Sequence, residues 1–158
     1  MKFKKASLSD LEILVSTRVN VLRSANQLDL SVDMKEVEKS SRLYYQEALA
    51  SDNHTAFLVY NDDDDNVIGA GAVSYYQVMP TYHNPSGKKA YIMNMYVAPE
   101  HRRKGIATKL LDLLIADSKE RGIDHITLEA TQMGRKLYEN YGFCQMSDEM
   151  EYTMISED

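Results

Sequence analysis

Val97-Ala98-Pro99-Glu100-His101-Arg102-Arg103-Lys104-Gly105-Ile106-Ala107-Thr108 leads from an apolar run, through a short basic turn, into the most regular helical pattern of the chain. Upstream, Ala90 to Val97 is apolar apart from Asn94, as expected of a strand covered on both faces inside a sheet. Pro99 ends it. Downstream, Ile106, Leu110 and Leu114 with Ala107, Leu111 and Ile115 form one face of a helix over Gly105 to Arg121, and Gly122 stands where helices stop. A strand, turn and helix in this order aim unpaired backbone N–H groups at one spot, to which the helix dipole adds positive potential. A phosphate group fits there. Gly105 lets a ligand approach the backbone, Ala107 keeps the first turn thin, and Arg102, Arg103 and Lys104 are the densest positive cluster present. The same residues also suit a capped helix with a solvated basic entry turn.

Other nucleotide loops do not fit. Gly87-Lys88-Lys89 lacks both the spacing and the hydroxyl residue of a P-loop. Gly69-Ala70-Gly71 has two glycines of a dinucleotide fingerprint, but Ser74 replaces the third and a strand continues where a helix should begin. These glycines mark places where a backbone or ligand passes close to a strand.

Toward the N-terminus the pattern predicts a short strand at Phe3 to Ala6, cap residues at Ser7-Leu8-Ser9-Asp10, and a helix carrying Leu11, Leu14, Val15, Val19 and Leu22. A second helix runs from about Asp33 to Ala50. Thr55 to Tyr60 and Val67 to Val78 form a hairpin around Asn61 to Asn66, whose four aspartates lack the Gly and distal Glu of a calcium loop. Met79 to Lys89, with two prolines, is a long loop. Beyond the central helix come a strand at His125 to Ala130, a helix at Arg135 to Tyr141, a strand at Phe143 to Met146 and a last strand at Glu151 to Ile155. The order is that of a mixed α/β domain spanning 1–158.

The 158 residues carry 18 Lys+Arg against 24 Asp+Glu, a net charge of −6, which opposes general nucleic-acid binding. One cysteine, Cys144, excludes an internal disulfide framework and any zinc site built of cysteines. It reads as a small core residue. No stretch approaches the roughly 18 apolar residues of a membrane span. The expectation is a cytoplasmic protein with no metal, no nucleic acid and no membrane partner.

Arg102-Arg103-Lys104-Gly105-Ile106-Ala107 resembles the Arg/Gln-x-x-Gly-x-Gly/Ala loop of the GCN5-related N-acetyltransferase (GNAT) superfamily. Tyr91-Ile92-Met93-Asn94-Met95-Tyr96-Val97 is similar to that family's central strand, and Leu137-Tyr138-Glu139-Asn140-Tyr141-Gly142-Phe143 to its late Leu-Tyr-x-x-x-Gly-Phe signature. The resemblance covers essentially the whole chain. It implies an α/β (α+β) fold, a mixed, mostly antiparallel sheet of about six to seven strands flanked by about four helices. It implies acetyl-CoA as cosubstrate, held in a V-shaped gap beside the central strand. Backbone amides of Arg102, Arg103, Lys104, Gly105, Ile106 and Ala107 with the Thr108 hydroxyl would hold the pyrophosphate, and main-chain groups of Met95 and Val97 the pantetheine arm. Tyr138 matches the tyrosine near the thioester sulfur. Thr131 stands where the family often has a cofactor-contacting Asn, and Gly134 where a small alanine is usual. The resemblance also allows a homodimer.

The implied activity is acetyl transfer to a primary amine of a small molecule or peptide by direct attack. The alternative is a non-catalytic acyl-CoA sensor. A lysine-like amine, with a reference pKa near 10.4, is neutral about once in a few thousand molecules at pH 7, so the site must desolvate it or offer a base. Glu129, on the strand beside the gap, is the carboxylate candidate, with a structural acceptor role as the other reading. Asn94 must find partners if buried, either a water or backbone groups. Tyr138 could protonate the leaving thiolate or simply pack beside Leu137 and Tyr141. The acceptor pocket is expected to be built from the two N-terminal helices and the loop from Met79 to Lys89, and the acidic surface points to a cationic acceptor.

Overall fold

A computed structural model describes residues 1–154 of the chain. Strand β1 (Lys2–Lys5) precedes helices α1 (Leu11–Asn26) and α2 (Lys35–Ala50), then come strands β2 (His54–Tyr60), β3 (Val67–Gln77) and β4 (Lys88–Val97). Helix α3 (Ile106–Glu120), the short strand β5 (Ile126–Leu128) and helix α4 (Arg135–Tyr141) follow. The five strands form one sheet in chain order: β1 to β4 pair antiparallel, and β5 joins β4 in parallel. This is the mixed, mostly antiparallel sheet with four α-helices that the sequence implies.

The period-2 alternation of the strands sorts the core into two layers. Leu58, Ala70 and Ala72 face α1 and α2, where Leu14, Val15 and Tyr45 cover them. Val73, Ala90 and Ile92 face the other way, against Leu111 and Leu114 of α3 and Tyr138 of α4. Leu110, Leu111 and Leu114 are fully buried, each contributing about 1.5–3 kcal/mol of apolar burial. The buried Asp117 ties this layer to the strands. Its carboxylate accepts hydrogen bonds from Tyr75 (2.5 Å), Thr55 (2.8 Å), Arg121 (2.9 Å) and Lys5 (2.5 Å). Burial alone would raise that carboxyl, but these donors outweigh it and hold it well below the usual range. The aspartate run closes the β2–β3 hairpin as a turn, with Asn61 N–H on the Asn66 carbonyl at 2.9 Å. Among the described residues no helix is long and apolar enough to cross a membrane.

The C-terminal part differs from expectation. Among the described residues the sheet has five strands, not six or seven. β5 is three residues long, and Phe143 to Met146 passes without forming a ladder. Residues 151–154 have no regular structure, and Ile155 lies outside the described residues. A strand exists only through its partner, and a short apolar run states no partner. Cys144, expected in the core, is an exposed thiol, since without a ladder nothing turns it inward.

Candidate functional site

The pairing of β4 with β5 stops well before β4 does. Their ladder pairs Ala90 with Ile126, Tyr91 with Thr127 and Ile92 with Leu128, and there β5 ends. From Met93 to Val97, β4 continues with no strand paired on that side among the described residues. A bulge lies at the start of this free edge: the β3–β4 register shifts so that Asn94 and Met95 together oppose Gly71. Asn94 takes the left-handed conformation (φ 57°), which Asn tolerates better than most residues. A regular strand would put Met93 and Met95 on one face. The bulge instead turns Met93 into a cavity beside α1 and α2, and Met95 toward α3. Gly71 makes room, since a Cβ there would lie 2.8 Å from the Met95 sulfur.

Past the bulge, Ala98 N–H donates to the Ile68 carbonyl at 2.8 Å. Antiparallel alternation therefore directs the N–H and C=O of Val97 away from β3, into the gap. The carbonyl is taken by Arg102 Nε at 3.0 Å, while the N–H is open to a ligand. Nη1 of Arg102 reaches the Met133 sulfur at 3.6 Å, joining the turn after β4 to the turn before α4. Arg102 thus holds the turn, whereas Arg103 and Lys104 are exposed.

The basic turn ends at Gly105, left-handed at φ 78° and with nothing within 4 Å of where its Cβ would be. Lys109 N–H makes the first bond of α3, to the Gly105 carbonyl at 3.0 Å. The amides of Ile106, Ala107 and Thr108 therefore have no partner within the helix, and no side chain caps them. Open amides, a dipole end, two exposed cations and free space fit a pyrophosphate.

Tyr138 is buried on the α3 side of the sheet, edge-on to Phe143 with ring centroids 6.0 Å apart. Burial pushes its hydroxyl up from the ordinary value. Gly134 leaves space for the ring, a Cβ there meeting Cε2 of Tyr138 at 3.0 Å. Thr131 is engaged locally, its hydroxyl accepting the Gly134 N–H at 3.2 Å and its carbonyl the Arg135 N–H at 3.0 Å. Glu129 is exposed just beyond β5, next to the Tyr91 hydroxyl, which is raised first by burial and then by that carboxylate. Tyr91 and Met93 share the α1/α2 face of β4. Glu129 and Tyr138 thus stand on opposite sides of the sheet and do not form a pair.

On the α1/α2 side lies a cavity of about 560 Å³, walled by Leu22, Val37, Tyr45 and Met93 and reached by Arg18 and Asn94. Arg18 Nη1 donates to Asn94 Oδ1 at 3.1 Å, so the bulge residue's partner is a side chain of α1. At one wall the Tyr44 hydroxyl lies 3.0 Å from His54 Nδ1 and 2.7 Å from Ser74 Oγ. His54 Nε2 is buried without a partner, and burial lowers the imidazole to about 4. The Met79 to Lys89 loop does not line this cavity; it folds on itself through Asn84. Arg18, Tyr44 and His54 are not among the site residues read from the sequence. The available signal was polar His54 and Ser74 at inward positions of apolar strands.

The acetyltransferase (GNAT) family model matches residues 23–143. A crystal structure of a predicted acetyltransferase with acetyl-CoA from Clostridium acetobutylicum superposes with a TM-score of 0.86 at 32% identity, covering 96% of this chain and 95% of that one. A GCN5-related N-acetyltransferase from Ralstonia eutropha gives 0.81 at 25% identity, covering 97% of each chain. An uncharacterized N-acetyltransferase of Bacillus subtilis is 31% identical over 86 residues, 51% of each chain. The N-alpha-acetyltransferase 30 of Schizosaccharomyces pombe is 31% identical over 86 residues, 52% of this chain and 54% of that one. The chain spans about half the length of these curated relatives. With the family model covering most of the chain, this protein belongs to the acetyltransferase (GNAT) family.

Proposed function

We propose that the protein transfers an acetyl group from acetyl-CoA to a primary amine by direct attack. The observation that carries this is the free edge of β4, Met93 to Val97, which runs directly into the open amides of α3. Acetyl-CoA supplies the activated thioester when bound. The amides of Ile106 and Ala107, with the Thr108 amide and hydroxyl, hold its pyrophosphate, and Arg103 and Lys104 add charge. The pantetheine arm lies along Met95 and Val97 as an added strand. Because the Val97 carbonyl already serves Arg102, its N–H is the group offered to the ligand.

In this reading the amine enters from the α1/α2 cavity. Its lone pair forms the C–N bond at the acetyl carbonyl, the Val97 N–H steadies the charge on oxygen, and the C–S bond breaks. Glu129 takes the amine proton, directly or through water. Tyr138 gives its proton to the leaving sulfur. That transfer is uphill by roughly 2 kcal/mol from reference values, and burial of the tyrosine adds to it, so it must accompany bond breaking.

Calorimetric titration with acetyl-CoA tests the reading, with thermal melting as the control for folding. Saturable micromolar binding and thiol release on addition of amines are expected. A folded protein that does not bind acetyl-CoA overturns it.

A further inference from the structure

Resting on the acetyltransferase reading, we propose that the acceptor carries a carboxylate beside its amine and that Arg18 recognises it, making the substrate class apolar α-amino acids. Arg18 is half-buried against the apolar walls of the α1/α2 cavity. A guanidinium has five N–H donors, and one of them is engaged, on Asn94 Oδ1 at 3.1 Å. Among the described residues no carboxylate lies within ion-pair distance of it. A cation taken partly out of water and given no counter-ion is a site for an anion. The planar fork matches a carboxylate through two parallel hydrogen bonds.

The charge of the lining narrows the class. Among the described residues Arg18 is the one cation in the cavity wall and the exposed Glu36 the one carboxylate, while the buried His54 stays neutral near pH 7. The lining is therefore neutral overall, and an amino acid zwitterion leaves it so. A polyamine or a phosphate dianion does not. The net charge of −6 does not counter this, because it is spread over the surface and screened beyond about 10 Å. The remaining wall, Leu22, Val37, Tyr45 and Met93, suits an aliphatic or aromatic side chain. Asn94 sits where β4 leaves β5, so a carboxylate on Arg18 delivers an α-amine to the gap.

The test measures thiol release from acetyl-CoA by the full chain with amine pairs differing only in the carboxylate. Leucine is set against 3-methylbutylamine and phenylalanine against phenethylamine, with spermidine and glucosamine 6-phosphate alongside. The acid of each pair is expected to be favoured in kcat/KM. The acid-to-amine ratio should then fall roughly ten- to hundredfold in Arg18→Met and less in Arg18→Lys, which keeps the charge but not the fork. The difference in amine basicity is common to all three proteins, so the change in ratio reports Arg18. A ratio unchanged in Arg18→Met, preference for spermidine or the amino sugar phosphate, or acetyl-CoA binding with neither amino acid acetylated overturns this proposal and leaves the family activity standing. Absence of acetyl-CoA binding overturns the activity first and this with it. The wild-type comparison needs no variant to fold.

Discussion

Arg18 and Asn94, 76 residues apart, are joined by a hydrogen bond of 3.1 Å from the guanidinium to the side-chain amide oxygen. That bond fastens α1 to the residue whose left-handed backbone makes the β4 bulge. Asn is suited to the conformation, whereas a β-branched residue resists it and favours a straight strand. Asn94→Val should destabilise the protein by about 2 kcal/mol and weaken acetyl-CoA binding, while Asn94→Gly should keep the bulge. Urea unfolding and calorimetry on the two variants check this. Equal behaviour would detach the bulge from the site.

Gly105 is needed for its backbone. A side chain there meets free space but must adopt φ 78°, which costs about 1–2 kcal/mol and tilts the amides of α3. Gly105→Val should lower acetyl-CoA affinity tenfold or more, with the melting temperature down by only a few degrees. Unchanged affinity would remove the pyrophosphate from this turn.

Tyr138→Phe retains the ring that packs on Phe143 and removes only the hydroxyl. The expected result is a fall in kcat of about a hundredfold, with KM for acetyl-CoA within a factor of two. Steady-state thiol release measures both. A wild-type kcat would make Tyr138 a packing residue.

His54 predicts a pH dependence. Its reference value is 6.5 and burial lowers it to about 4 in the folded state. Between these values the unfolded chain binds a proton that the folded chain does not, so stability falls with falling pH. The contribution is complete above about pH 6.5 and is lost, to the extent of roughly 3 kcal/mol, by about pH 4. His54→Phe should flatten the stability profile across that interval in denaturant titrations. Parallel profiles would contradict it.

The late signature around Tyr138 and the turn from Val97 to Thr108 were legible because their signals are local: a glycine at a helix start, cations in a turn, a helical face of leucines. Glu129 was legible as a candidate but not its position, since only pairing of Thr127 with Tyr91 sets it on the face opposite Tyr138. The segment Phe143 to Met146 misled for the same reason, because its four residues say nothing about whether an edge will receive them.

Covalent neighbours therefore dictated the order of helices and strands as far as α4, the basic turn into α3 and the family to which they belong, each within about a dozen residues of chain. Packing alone decided the bulge at Asn94, the early end of β5 that opens the gap, and the cavity that gathers Arg18, Tyr44, His54 and Met93. Those features depend on register and on which side chains meet across the sheet, and such contacts are set by the free energy of the whole core.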